Sequence, residues 1–231
     1  SSAASDVYKR QVEIFEDPSA KGGAFANMYE GTDTSYGKIT NGKLHAVIDS
    51  GSVITFYHED GRVLLKEHFR RLRDEESMPL NIMGREYSNG VGDNFRIVTR
   101  FVARKGEKIF GMGQYQQHEL DLKGCMLELA QRNSQVSVPF YLSSIGYGFL
   151  WNNPGVGQVM FANNGTEWVT ESGKEIDYLV IAGDTPAEIE ENYMTLTGKP
   201  PMMPEYGMGF WQCKLRYWNQ EQLLSLSLIH I

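Results

Sequence analysis

Over most of the chain, apolar and polar positions alternate in short blocks bounded by glycine, asparagine and aspartate. Residues 43–49 and 52–58 are rich in β-branched and aromatic side chains, with turn chemistry at 49–51, so two strands are predicted there. Asp60 and Gly61, between 53–57 and 62–66, form a strong hairpin signal. The same pattern predicts strands at 95–103, 126–129, 139–143, 147–151, 158–161, 167–170 and 176–182. Short strands at this density, separated by turn residues, indicate a mainly β fold of the sandwich kind. Residues 12–27 have no clear period and read as irregular chain with a short strand.

Two departures from the β pattern follow. Thr185 with Glu188 makes a capping box, Pro186 takes the first helical position, and Ile189, Tyr193 and Leu196 share one face, so a helix is predicted up to Gly198. Pro200, Pro201 and Pro204 then form a linker, and residues 206–211 read as a strand buried on both faces. After the polar stretch 212–217, Asn219 offers a helix N-cap with Gln222 three residues on. Strand, polar loop and helix start are how a parallel β/α unit begins, and in barrels of such units that loop carries the active site. An ordinary connection without chemistry fits the same pattern. The expected organisation is a sandwich over 12–184, a connecting helix and Pro-rich linker over 185–204, and the start of a β/α unit over 205–225.

The two ends call for separate treatment. Residues 6–11 (DVYKRQ) can be encoded by GAT GTG TAT AAG AGA CAG, and residues 226–231 (LSLIHI) by its reverse complement, codon for codon. This resembles an inverted transposase-type sequencing adapter, so 1–11 and 226–231 are expected to be adapter-derived and are set aside from fold reasoning. The start therefore carries no information on secretion.

At 231 residues, the chain can hold one large domain or one domain with a piece of another. Hydrophobic residues at 41% and aromatic residues at 12% suffice for a sizeable core. No apolar run approaches the roughly 18–20 residues of a spanning helix, so no membrane partner is expected. A net charge of −7, with basic groups as short as Arg70, Arg71 and Arg73, argues against nucleic acid. Cys125 and Cys213 lie far apart without a CxxC or Cys/His cluster. No metal or cofactor is expected, reduced thiols are the plain reading, and a cytoplasmic setting is favoured.

The densest polar and aromatic stretch is 108–140. Gly111 and Gly113 would let the chain turn tightly after a strand, and neither fits a phosphate-binding fingerprint. Residues 114–117 and 132–135 could present amide and guanidinium groups to a sugar, whose hydroxyls need paired donors and acceptors, or could be two solvated loops. His118 has no partner at general-base spacing, and His45, His58 and His68 read as surface or satisfied core histidines. Trp151 ends a strand, where core packing competes with a stacking role. Glu188, Glu190 and Glu191 fit a helix dipole partner and a wet face.

At GEKIFGMGQ (106–114), RNSQVSVPFYLSS (132–144), GYGFLWNN (146–153) and MPEYGMGFWQCKLRYWNQEQLL (203–224), the sequence closely resembles glycoside hydrolase family 31, on its α-xylosidase and α-glucosidase branch. The resemblance covers nearly all of 12–225. It implies a galactose-mutarotase-like β-sandwich followed by the first strand and helix start of a truncated (β/α)8 barrel. It also implies a retaining, exo-acting α-glycosidase, with an oligosaccharide or glycoside substrate, no cofactor, and room for a homo-oligomer of the full-length enzyme.

Such an enzyme uses two carboxylates about 5–5.5 Å apart, one as nucleophile and one as acid/base. In the family both sit on later barrel strands, so no Asp or Glu of this chain is assigned to catalysis and the fragment alone is expected to be inactive. The resemblance carries substrate contact onto the sandwich loop containing Arg132, Asn133 and Gln135, where Asn133 stands in place of an aspartate common in related maltases. It carries an aromatic lining the site onto Tyr217. A non-catalytic carbohydrate-binding sandwich is the alternative. A mutarotase-like epimerase would need an acid and a base on the sandwich, usually His with Glu, and no such pairing is evident.

Overall fold

The structure is a computed structural model that describes residues 33–35, 37–49, 51–69, 82–211, 213 and 215–230. The expected irregular segment at 12–27, the tail at 1–11 and the arginines at 70, 71 and 73 lie outside the described residues. The chain divides into two compact units between Gly198 and Lys199.

In the first unit, fourteen strands are described in three antiparallel sheets. The first sheet is a meander of β1 (Asp33–Ser35), β2 (Lys38–Asn41), β3 (Leu44–Ile48), β4 (Ile54–His58) and β5 (Val63–Lys66). The predicted hairpin at Asp60 and Gly61 joins β4 to β5, with Gly61 at a φ of 84° and the Arg62 amide donating to Asp60 Oδ1 at 2.8 Å. That geometry is why the position suits glycine.

The second and third sheets face one another. One has the order β14 (Tyr178–Ala182), β11 (Tyr147–Trp151), β10 (Val136–Ser143), β8 (Ile109–Gln114). The other has the order β6 (Arg85–Asn89), β7 (Phe95–Phe101), β13 (Thr166–Gly173), β12 (Gly157–Phe161), β9 (Met126–Leu129). Between them lies a slab of aromatic rings. Trp168 is fully buried and stacks on Phe149 at 5.1 Å, Trp151 at 5.7 Å and Tyr141 at 6.1 Å. A buried Phe contributes roughly 1.5–3 kcal/mol, and offset or edge contacts between rings add to this. The slab therefore decides which strand faces turn inward. Trp151 is 1% exposed, so its place is in the core.

The slab encloses a charged centre. Glu107 is buried, accepts hydrogen bonds from Ser143 Oγ at 2.6 Å and Tyr147 Oη at 2.9 Å, and lies 3.5 Å from Lys123 Nζ. Burial and the neighbouring Tyr141 and Glu107 push the Tyr147 phenol well above its usual range, so it stays a neutral donor. A buried carboxylate without such partners would be strongly destabilising.

Helix α1 (Pro186–Thr197) follows the predicted pattern closely. The Glu188 amide donates to Thr185 Oγ1 at 3.2 Å, and the Glu188 carboxylate reaches back to the Asp184 amide at 2.9 Å. Ile189 is buried, and Tyr193 stacks on Phe140 of β10 at 4.1 Å, so the apolar face closes over the outer side of the second sheet. A cluster of charges ties the helix start to the first sheet. Lys43 Nζ lies 2.5 Å from Asp184 and 2.6 Å from Glu188, while buried His58 has Asp60 and Asp184 each 3.2 Å from one of its ring nitrogens.

The second unit corrects one expectation. Residues 206–211 do not form a buried strand: Glu205–Met208 is a 3-10 helix, closed by the Gly207 amide on Pro204 and the Gly209 amide on Tyr206. Tyr206, Met208, Phe210 and Trp211 are all exposed. Among the described residues no strand pairs with this run, and with glycines at 207 and 209 the local turn hydrogen bonds prevail. The predicted helix start does form. Helix α2 (Gln220–His230) has the Gln222 amide on Asn219 Oδ1 at 2.8 Å and the Gln222 side chain on the Trp218 amide at 3.0 Å. Residues 226–230 continue this helix. Among the described residues, no helix is long and apolar enough to cross a membrane.

The clamp at Lys43 has a pH signature. Hydrogen bonds from Lys43 hold the Asp184 and Glu188 carboxyls below the ordinary range. A carboxylate with a depressed folded value contributes stability that is full above its unfolded value, about 4, and is lost as the pH falls through the folded one. The thermal midpoint of the Lys43→Met variant is therefore expected below wild type at about pH 6, with the gap closing below about pH 4. A gap that persists unchanged to about pH 3 removes the clamp from the account.

Candidate functional site

Strands β9 and β10 belong to different sheets, so residues 130–135 must cross from one side of the sandwich to the other. The crossing segment narrows to a two-residue tip. Arg132 and Gln135 form an isolated antiparallel bridge, with the Gln135 amide on the Arg132 carbonyl at 3.1 Å, leaving Asn133 and Ser134 at the exposed end. Ser134 has a φ of 66°. Left-handed backbone costs a non-glycine residue roughly 1–2 kcal/mol, so the surrounding contacts must hold it there.

Those contacts are identifiable. The Gln131 side-chain amide accepts from the Ser137 N–H at 3.0 Å and donates to the Ser137 carbonyl at 2.9 Å, imitating a rung of a β ladder. Tyr115 Oη donates to the Glu128 carbonyl at 2.9 Å and meets Ser137 Oγ at 2.7 Å. Arg132 grips the Glu128 carboxylate with Nε at 2.9 Å and Nη2 at 2.6 Å, and this hydrogen bonding pulls the Glu128 carboxyl below its usual range. Neither Asn133, Ser134 nor Gln135 makes a side-chain hydrogen bond to a described residue. Asn133 is exposed and Gln135 half-buried.

Strand β8 supports the segment from beneath, in a way the sequence reading did not anticipate. Gly111 and Gly113 do not turn the chain away after a strand; both lie within β8. The φ values of Gly111, Met112 and Gly113 are 114°, 68° and 95°, and opposite Met112 the pairing skips from Ser137 to Tyr141, so β10 bulges there by residues 138–140. The bulge sends Met112 fully into the core. It also brings Gly113 so close that a Cβ there would lie 2.2 Å from the Val136 carbonyl oxygen. Tyr115 follows directly, which places its hydroxyl over both sheet ends.

Of the four sequence-predicted site residues, Arg132, Asn133 and Gln135 come together in this segment. The Arg132 guanidinium is engaged by Glu128. Tyr217 lies in the second unit, half-buried in the irregular stretch before α2. Next to it, the Arg216 guanidinium sits 4.6 Å above the Trp218 ring. A depression of about 520 Å³ on that unit is lined by Asn219, Gln220, Glu221, Leu224 and Ser225. Tyr115 and Gln131 escaped sequence reasoning because their partners, Glu128 and Ser137, are brought within reach only by the packing of the strand ends.

Of the histidines, His118 is exposed as expected, while His58 is buried among carboxylates; His58 Nε2 and His68 Nδ1 are buried without a hydrogen-bond partner among the described residues. Among the described residues, no group of three or more His, Cys, Asp or Glu side chains is arranged to hold a metal.

No protein-family model matches the chain. It is 45% identical over 200 residues to the family 31 glucosidase ORF2 of Pseudescherichia vulneris, covering 82% of this chain and 38% of that protein. It is 35% identical over 141 residues to an α-xylosidase of Saccharolobus solfataricus, covering 57% of this chain and 19% of that protein. Its fold is similar to the crystal structure of a GH31 α-xylosidase from a soil metagenome complexed with xylose. The TM-score is 0.79 and the identity 43%, over 86% of this chain and 31% of that one. The chain thus spans well under half the length of the relatives it matches.

Two substitutions test the geometry of the segment. Gly113→Ala places a side chain in left-handed backbone against a carbonyl, and is expected to lower stability by more than about 1 kcal/mol, measured as a shift of the urea midpoint. Ser134→Gly relieves the strain at the tip, and is expected to raise stability by up to about 1 kcal/mol in the same measurement. A Ser134→Gly midpoint below wild type contradicts the strain argument.

Proposed function

The chain belongs to glycoside hydrolase family 31, and from that premise we propose that it is the N-terminal portion of a retaining, exo-acting α-glycosidase that releases terminal α-linked xylose or glucose. The observation that carries this reading is the agreement in fold and sequence with an α-xylosidase complexed with xylose, at 43% identity and a TM-score of 0.79. The galactose-mutarotase-like sandwich is the part of such an enzyme described above. The two carboxylates that break the bond, about 5–5.5 Å apart in a retaining enzyme, are assigned to later barrel strands outside this sequence. Glu107, a buried carboxylate of the sandwich core, has its oxygens occupied by Ser143, Tyr147 and Lys123.

Within this chain the proposed role is substrate recognition by Asn133, Gln135, Arg132 and Tyr217. An amide offers a donor and an acceptor at once, so Asn133 and Gln135 suit the vicinal hydroxyls of a sugar. In place of a carboxylate, Asn133 gives up the stronger charge-assisted hydrogen bond and avoids the cost of desolvating a charge. Arg132 borders the pair with its charge balanced by Glu128. Tyr217 supplies an aromatic ring of the kind that packs against the C–H face of a pyranose.

Residues 205–225 are proposed to begin the barrel, and 1–11 and 226–231 to be adapter-encoded. Nothing in the comparisons favours the non-catalytic binding module. Expression of the complete gene, assayed with aryl α-xyloside and aryl α-glucoside, is expected to release the aryl group from at least one. The 231-residue chain alone is expected to release it from neither. A complete product inactive on both substrates would falsify the proposal.

A further inference from the structure

We propose that Tyr115 and Gln131 are positioning residues, which hold the crossing segment in one conformation so that the Asn133 and Gln135 amides are presented to a sugar in a fixed orientation. This rests on the reading of that segment as a sugar contact, and adds to it the residues that make the contact rigid. Strand β9 and strand β10 share no ladder, so backbone pairing between them cannot hold the six residues 130–135. Side chains supply what the ladder does not.

Tyr115 bonds one group on each side of the crossing, the Glu128 carbonyl at the end of β9 and the Ser137 hydroxyl at the start of β10. Gln131 closes a two-bond ring with the backbone of Ser137, which fixes the distance between the start of the segment and its return. These bonds engage the polar side chains at the base of the segment and leave those of Asn133, Ser134 and Gln135 unengaged by described residues. They also restrain Ser134 in left-handed backbone, which an unsupported loop would leave. Neither Tyr115 nor Gln131 needs to touch the sugar. A misplacement of about 1 Å in a contacting group can cost on the order of 100-fold in rate, which is the sensitivity such a clamp addresses.

The test is a double-mutant cycle in the complete enzyme, with kcat/KM on whichever aryl α-glycoside it cleaves. The variants are Asn133→Ala, Tyr115→Phe, Gln131→Leu and the doubles Asn133→Ala/Tyr115→Phe and Asn133→Ala/Gln131→Leu. Each single variant is expected to lower kcat/KM by about 10- to 100-fold. Each double variant is expected to lose less than the product of its two single losses, because with Asn133 truncated the support acts on the Gln135 amide alone. Tyr115→Phe deletes one oxygen and keeps the ring, so it remains informative if Gln131→Leu does not fold. Losses that multiply in the doubles overturn the positioning role in favour of general destabilisation. It is also overturned if Asn133→Ala lowers kcat/KM while Tyr115→Phe and Gln131→Leu stay within about twofold of wild type. If Asn133→Ala itself leaves kcat/KM unchanged, the sugar-contact reading of the segment fails, and the positioning role with it.

Discussion

The close approach of β8 to β10 is the constraint on which the rest of the sandwich depends. Strand β10 has two duties. Its C-terminal half turns Tyr141 and Ser143 into the aromatic core, and its N-terminal end receives the segment that crosses between sheets. A regular ladder cannot serve both, because the period-2 alternation of a strand would carry one register through its whole length. The bulge of β10 residues 138–140 opposite Met112 breaks that register. Met112 enters the core, Gly113 lies against the Val136 carbonyl, and the chain reaches Tyr115 with its hydroxyl between the ends of two sheets. Bulges next to functional segments are a recurring way to re-aim a side chain.

The two buried glutamates among the described residues are paired in a way that separates structure from chemistry. Glu107 is surrounded by hydroxyl donors and an ammonium group, and Glu67 accepts the Ile54 amide and pairs with Arg85 at 3.1 Å. Burial pushes the Glu67 carboxyl up despite that arginine. A perturbed carboxylate often marks an active site. Here the perturbation comes from burial at a junction between sheets, next to the Glu67–Phe101 bridge that joins the first sheet to the third. The perturbation at Glu67 is therefore a property of the scaffold.

The crossing segment is built in the opposite manner. Its base is saturated with internal hydrogen bonds and its tip is left open to solvent. A neutral amide at the tip fits a ligand that is itself neutral and rich in hydroxyls, since specificity then comes from the direction of the bonds rather than from net charge. Directional recognition is useful only when the donor and acceptor are held still. On the proposed reading of the segment as a sugar contact, the strain at Ser134 and the ring of bonds at Gln131 serve the same requirement.

Local signals determined much of this protein. β-branched and aromatic blocks marked most of the strands, Asp60 and Gly61 marked a hairpin, and the Thr185/Glu188 and Asn219/Gln222 pairs marked both helix starts, because each is an interaction between residues a few positions apart. The motifs at 106–114, 132–144 and 146–153 identified the family, and with it the segment around Asn133. What the tertiary structure alone decided involves residues distant along the chain. β1, β2 and β6 were missed, since their short runs give a weak strand pattern and are fixed by pairing with neighbouring strands. The glycines of β8 were read as a turn, since only contact with β10 reveals a bulge. Residues 206–211 were read as a strand, although a strand needs a neighbour to complete its hydrogen bonds and none is described there. Tyr115 and Gln131 gained a role only once two sheets brought Glu128 and Ser137 within reach, because a hydrogen bond depends on distance in space and carries no signature in sequence.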